Sequence, residues 1–168
     1  MVNLKLVETW EEYEELIQLE LREEQKDAKA FLPSNLQSFA DAFVWQLTTG
    51  SAPLLYGVYH GDTPVGFVML NHSEPENQYD SFRVDGAKES VYYLWRLMID
   101  KNHQGKGYGK AALQSVIEHV RTTKPFGAAS WLYTSVQPYN PAFGLYLSVG
   151  FEDTGGTDGN KNDLRIKI

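Results

Sequence analysis

The sequence predicts a mixed α/β fold around one sheet, and three observations predict it. Strand-like and helix-like runs exchange along the whole chain. The run from Val91 to Ile99 is almost wholly apolar or aromatic, as a strand covered on both faces must be. Directly after it come Gln104-Gly105-Lys106-Gly107-Tyr108-Gly109-Lys110 and a helix-like run, Ala111 to Val120. Strand, glycine-rich turn and helix in that order aim unpaired N–H groups at an anion, so a phosphate-bearing cofactor is expected at residues 104–110.

Each element has its own signal. Asn3 to Val7 alternates and reads as a short strand. Thr9 with Glu12 three residues on is a capping box that opens a helix near residue 10. Pro33-Ser34 separates it from a second helix over about 35–48, ended by Gly50. Leu54 to Tyr59 and Val65 to Leu70 read as strands joined by His60-Gly61-Asp62-Thr63, a hairpin signal. Residues 71–89 are polar and read as a loop. Beyond the glycine turn a helix is expected to about Thr122, then a strand over Ala128 to Val136. Pro141 to Val149 reads as a short helix stopped by Gly150. Two last strands, from Phe151 and over Asp163 to Ile168, surround a Gly/Asp/Asn-rich turn at 155–162. The order is β-α-α-β-β-β-α-β-α-β-β, a sheet with helices on both faces.

Composition narrows the function. The 168 residues suffice for one domain with a core, and no linker divides them. No apolar run reaches 18 residues and the N-terminus lacks a signal-peptide core, so no membrane contact and a cytoplasmic location are expected. The absence of cysteine excludes disulfides, thiolate metal sites and a cysteine nucleophile. His60, His72, His103 and His119 show no metal spacing, so no metal is expected. Residues 8–27 carry nine acids and two bases, which equals the net charge of the whole chain, −7. Nucleic acid needs a basic patch, so an acidic segment argues against it and suits a small cationic substrate. A solvated helix face accounts for the same charges.

Spacing sorts the phosphate loops. A Walker loop would need Gly at 104 and Ser or Thr at 111, where this chain has Gln104 and Ala111. A dinucleotide fingerprint from Gly105 would need Gly at 110, which is Lys110. What fits is Gln104-x-x-Gly107-x-Gly109, which resembles the acyl-CoA loop of the GCN5-related N-acetyltransferases (GNAT). The wording Leu94-Trp95-Arg96-Leu97-Met98-Ile99-Asp100 before the loop looks especially like the bacterial spermine/spermidine branch. The closing run Asn140-Pro141-Ala142-Phe143-Gly144-Leu145-Tyr146-Leu147-Ser148-Val149-Gly150-Phe151 is similar to the family's last motif, with six residues from Asn to Tyr where seven is usual.

That resemblance covers the full chain and implies one acyl-CoA N-acyltransferase domain over 1–168, with a mostly antiparallel sheet splayed at the acyl-CoA site. It implies acetyl-CoA as cosubstrate and direct attack by a primary amine, a polyamine in the branch it looks like, within a ternary complex. The main chain of Leu97, Met98 and Ile99 would pair with the pantetheine arm. Gln104, Gly105, Lys106, Gly107, Tyr108, Gly109 and Lys110 would hold the pyrophosphate, and Asn140 the CoA arm. Tyr146 would protonate the leaving thiolate; Tyr108, Tyr133 and Tyr139 are neighbouring competitors. No carboxylate stands in the central strand, and Glu89 lies just before it, so the general base stays open between a water chain and a carboxylate from elsewhere. Relatives of this kind are often homodimers.

The acceptor side rests on the first helix. At 100° per residue, Trp10, Tyr13, Leu16, Ile17 and Leu21 fall within about 140° of arc. Glu20 and Glu24 fall inside it, where like charges at i,i+4 need a cation. They are expected to bind a substrate ammonium, against salt bridges to Arg22, Lys26 or Arg96, or a frayed helix end. Trp95 is expected to line the acceptor pocket or pack the core. A peptide N-terminus, another small amine, an aminoglycoside, or a non-catalytic acyl-CoA sensor remain alternatives.

Overall fold

The computed structural model describes residues 1–26, 33–73 and 90–168. In chain order its elements are β1 (Asn3–Leu6), α1 (Trp10–Ile17), a 3-10 turn (Glu23–Gln25), α2 (Asn35–Thr49), β2 (Leu54–His60), β3 (Thr63–Ser73) and β4 (Val91–Ile99). Then follow α3 (Tyr108–Thr123), β5 (Trp131–Val136), α4 (Ala142–Ser148), β6 (Glu152–Asp158) and β7 (Lys161–Lys167). The expected order holds, with the 3-10 turn added. The strands form one seven-stranded sheet, β1-β2-β3-β4-β5-β7-β6.

Two compact units divide the chain: Met1–Leu70 with Arg96–Ser115, and Asn71–Trp95 with Val116–Ile168. In the first, β1 and β2 pair antiparallel with Leu4 opposite Val58, and β2 and β3 pair with Tyr56 opposite Val68. The β2–β3 hairpin closes between His60 and Thr63, so its turn is only Gly61-Asp62, a two-residue loop that matches strand twist. Leu16, Val58, Val65, Phe67 and Leu113 are fully buried here. Gly66 is required by close approach, because a Cβ there would run into the Met98 carbonyl oxygen and Ile99 Cδ1.

α1 opens as expected. Thr9 caps it, its oxygen accepting from Glu12 N at 3.3 Å, while Glu12 Oε2 accepts from Thr9 N at 3.0 Å. It ends earlier than the apolar arc predicts, at Ile17. The reason is tertiary: the Asn35 amide donates to the Leu16 carbonyl at 2.8 Å, and the main chain of residue 20 is bonded elsewhere. Trp10, placed by the arc on the buried side, is exposed.

In the second unit β5 pairs antiparallel with β7, Ser135 opposite Asp163, and β7 with β6. The core there is Tyr92, Leu94, Val116, Leu132, Leu164 and Phe151. The turn expected at 155–162 is narrower: β6 runs to Asp158, and Thr154-Gly155-Gly156 fall at a register shift inside the β6–β7 ladder. β5 starts at Trp131 rather than Ala128. Of the polar stretch 71–89, residues 71–73 belong to β3, and 74–89, Glu89 included, lie outside the described residues.

Candidate active site

The loop after β4 is built by hydrogen bonds from the residues around it. Asp100 N donates to the Val65 carbonyl at 2.9 Å. The Asp100 carboxylate accepts from Glu20 N and from Asn102 N, each at 2.9 Å, with His103 Nδ1 at 3.4 Å. Burial works to raise this carboxyl, and those bonds outweigh it and hold it below the ordinary value. Gln104 sends its amide back, donating to the Ile99 carbonyl at 2.9 Å and to Gln25 Oε1 at 2.7 Å. Its side chain therefore fixes the turn to the end of β4 instead of facing the anion.

Beyond Gln104 the chain enters α3 with open main-chain donors. Gly105 and Gly107 have φ of 78° and 81°, a region closed to most side chains, and nothing lies within 4 Å of a Cβ on either. The first helical bond into α3 runs from Ala111 N to the Gly107 carbonyl at 3.1 Å. That leaves the N–H groups of Tyr108, Gly109 and Lys110 as first-turn donors without a helical acceptor. Lys106 turns its ammonium to the Asn102 carbonyl at 2.9 Å. Main-chain N–H groups are thus the donors that this turn leaves to an anion.

Leu97, Met98 and Ile99 close β4; Met98 is buried, with the Asn35 amide 3.8 Å from its sulfur. Arg96, next to them, is buried and donates to the Pro33 carbonyl. Desolvation lowers its pKa to about 10, so it stays charged near neutral pH.

In the second unit β4 and β5 pair in parallel through Tyr92–Leu132 and Tyr93–Tyr133. One step on, the Thr134 hydroxyl donates to the Leu94 carbonyl at 3.0 Å. Against Thr134 lies the Tyr146 hydroxyl. The two hydroxyls are in hydrogen-bonding reach of each other, an interaction that works against the effect of burial on Tyr146. Tyr146 is on α4, 6% exposed, with its ring edge-on to Phe151 at 5.2 Å. Burial pushes its hydroxyl up to about 12. A phenol so placed keeps its proton at any physiological pH. Asn140 uses its side-chain oxygen to accept from Ala142 N at 2.9 Å, in the turn that begins α4. Trp95 packs against the buried cluster Val91, Tyr93 and Tyr133 while staying half-buried.

The acceptor residues need correction. Glu20 and Glu24 are not on α1 and not on a buried arc, because the helix ends at Ile17. Glu20 is exposed, its carboxylate 2.6 Å from Lys101 Nζ and 3.6 Å from Lys26 Nζ. The Lys101 hydrogen bond, then the charges of Lys101 and Lys26, lower its pKa. Glu24 lies in the 3-10 turn and is exposed. Sequence reasoning missed Asp100, Gln25 and Thr134. A polar Thr134 within the apolar strand from Trp131 was a readable signal; the bond between Gln25 and Gln104 was not, since 79 residues separate them.

The glycine turn after β4 leads into α3 with first-turn main-chain N–H groups that suit an anion. Residues 10–151 match the model of the Acetyltransferase (GNAT) family, and the chain belongs to that family. It is an acetyl-CoA-dependent N-acetyltransferase. It is 31% identical over 112 residues to the spermine/spermidine N(1)-acetyltransferase of Bacillus subtilis (strain 168), covering 66% of this chain and 67% of that protein. The fold is similar to that of the PaiA N-acetyltransferase of Thermoplasma acidophilum in complex with coenzyme A, with TM-score 0.64, 16% identity, and 100% and 99% of the two chains covered. It is equally similar to the protein of a KacTA–DNA complex, with TM-score 0.64, 21% identity and 99% and 93% covered. The fold therefore lends no support to excluding nucleic acid. Among the described residues no group of three or more His, Cys, Asp or Glu could hold a metal, and no helix is long and apolar enough to cross a membrane.

Proposed function

We propose that this chain, as one acyltransfer domain, moves an acetyl group from acetyl-CoA to a primary amine of a polyamine by direct attack in a ternary complex. The observation that carries the acceptor is the likeness to a spermine/spermidine acetyltransferase over two thirds of the chain. The acidic segment 8–27 supports it independently, since a polycation is drawn to a dense run of carboxylates.

In this reading the main-chain donors of Gly105 to Lys110 take the pyrophosphate. Leu97 to Ile99 offer N–H and C=O groups to the pantetheine arm, and Asn140 offers its amide nitrogen. The amine lone pair attacks the thioester carbonyl, the nitrogen loses a proton to water, the C–S bond breaks, and Tyr146 gives its proton to the thiolate and regains one from water. Of the two acceptor carboxylates, Glu24 is the better placed for an ammonium, because Glu20 is held by two lysines. Trp95 supplies an apolar wall.

The test is free-thiol release from acetyl-CoA with spermidine, spermine, lysine and peptides. Release with the polyamines, and a raised spermidine KM in Glu24→Gln, is expected. Release with peptides alone would sink the polyamine acceptor. Saturable CoA binding with no release from any amine would favour a sensor.

A further inference from the structure

A helix that lies on a core turns its apolar stripe inward and its polar side chains to water. α2 does the reverse. Its fully buried positions are Asn35, Ser38 and Ala42, while Leu36, Phe43, Val44 and Leu47 are 53%, 62%, 55% and 69% exposed. Those four side chains leave roughly 400 Å² of apolar surface in water, the size at which a patch on a single chain marks an interaction surface. At 100° per residue they fall with the exposed Ala40 inside about 100° of arc, on the side opposite the buried positions. Half-buried Phe39 carries the patch toward α1: Tyr13 is edge-on to it at 5.0 Å, and the exposed Trp10 ring is 4.9 Å from Tyr13.

Charge narrows what can cover this face. Asp41 is the one charged residue among the fifteen of α2. It is half-buried, and its charge acts on the buried Arg96, where it opposes the larger effect of desolvation. Gln37, Gln46 and Thr48, beside the stripe, are exposed and neutral. A helix that binds a lipid surface carries Lys or Arg on its polar face, and α2 has neither. Two copies of a chain with net charge −7 repel each other, so they approach at least cost where charge is absent.

The stripe is also complementary to itself. Leu36, Ala40, Phe43 and Leu47 are spaced four, three and four, the a/d rhythm of a helix seam. Across a two-fold axis, residue i meets j wherever j meets i. An antiparallel pair centred between residues 41 and 42 sets Leu36 opposite Leu47 of the second copy, and Ala40 opposite its Phe43. Large meets small in the middle and leucine meets leucine at the ends, so the layers interdigitate. A parallel pair would set Phe43 on Phe43 and Ala40 on Ala40, a clash beside a void. The stripes of two copies amount to roughly 800 Å², and the neutral rim brings the total to about the 1,200 Å² where specific interfaces begin, which suits a dimer with a micromolar Kd.

We propose that the outer face of α2 is a homodimer interface, in which two copies of this chain pack antiparallel through Leu36, Ala40, Phe43 and Leu47. The interface uses the first compact unit alone and is independent of the reaction and of its acceptor.

Sedimentation velocity of the full chain, loaded from about 1 to 100 µM, should move from monomer to dimer. Phe43→Glu is expected to raise the dimer Kd by roughly a hundredfold, the effect of losing a central aromatic on both sides. Its circular dichroism should hold, because Phe43 is exposed in the single chain. Register is read with cysteine, which the chain lacks. Under mild oxidation Leu36→Cys and Leu47→Cys should cross-link when mixed. Neither should cross-link alone, since like positions are roughly 16 Å apart along an antiparallel seam at 1.5 Å per residue. A monomer at 100 µM overturns the interface, as does a dimer that Phe43→Glu leaves intact. Leu36→Cys linking to itself overturns the antiparallel register. Flotation with phosphatidylglycerol vesicles without self-association overturns the dimer in favour of a lipid surface.

Discussion

Thr134 gives its hydroxyl proton to the Leu94 carbonyl at 3.0 Å, a bond made by a side chain where a continuing parallel ladder would use a main-chain N–H. The Tyr146 hydroxyl lies against the same Thr134 side chain. One threonine therefore meets both the Leu94 carbonyl and the Tyr146 phenol.

Tyr146→Phe keeps the ring packing on Phe151 and removes only the oxygen. It is expected to lower kcat by roughly ten- to a hundredfold with little change in CoA affinity. Steady-state kinetics beside CoA titration calorimetry checks this.

Tyr146 also predicts an alkaline limit to stability. Its folded pKa, about 12, is above the ordinary 10.0, so the folded state holds the proton more tightly than the unfolded chain. The stabilisation is present in full below pH 10 and is lost as pH rises from 10 to about 12. Denaturant titrations over that window should show a shallower decline in Tyr146→Phe.

Glu12 predicts the opposite limb. A hydrogen bond from Lys5 first, then the N–H of Glu8, lower its pKa from 4.5 to about 2. A depressed carboxyl adds stability above 4.5 that is lost as pH falls toward about 2. Glu12→Gln should flatten acid unfolding across that range, measured by circular dichroism.

Gln104→Ala removes the bonds to Ile99 and Gln25. Each neutral hydrogen bond contributes about 1 kcal/mol, so a loss of about 1–2 kcal/mol is expected. CoA affinity should fall severalfold, because the turn is no longer tied to the end of β4. Unfolding curves and CoA titration separate the two effects.

Two glycine variants should differ in kind. Gly107→Ala meets no atom and costs only a forced positive φ, about 1–2 kcal/mol. Gly66→Ala keeps ordinary backbone and meets the Met98 carbonyl and Ile99, a clash costing about 1–3 kcal/mol or more. CoA affinity should drop with the first far more than with the second.

The sequence by itself determined the element order, the α1 capping box, the two-residue hairpin and the glycine loop. Each is a short-range matter: hydrophobic period, caps and turn residues act within a few positions. It also supplied the family resemblance that the match over residues 10–151 bears out. The tertiary structure decided where α1 stops, because its last carbonyls and the main chain of Glu20 are claimed by Asn35, Asp100 and Lys101, up to about 81 residues away. It released Glu20 and Glu24 from the buried face and paired Glu20 with lysines. It also joined Tyr93 to Ser135 and Ser135 to Asp163 by side-chain hydrogen bonds of 2.9 and 2.6 Å, since strand register across β4, β5 and β7 brings distant residues together and no local period encodes that choice.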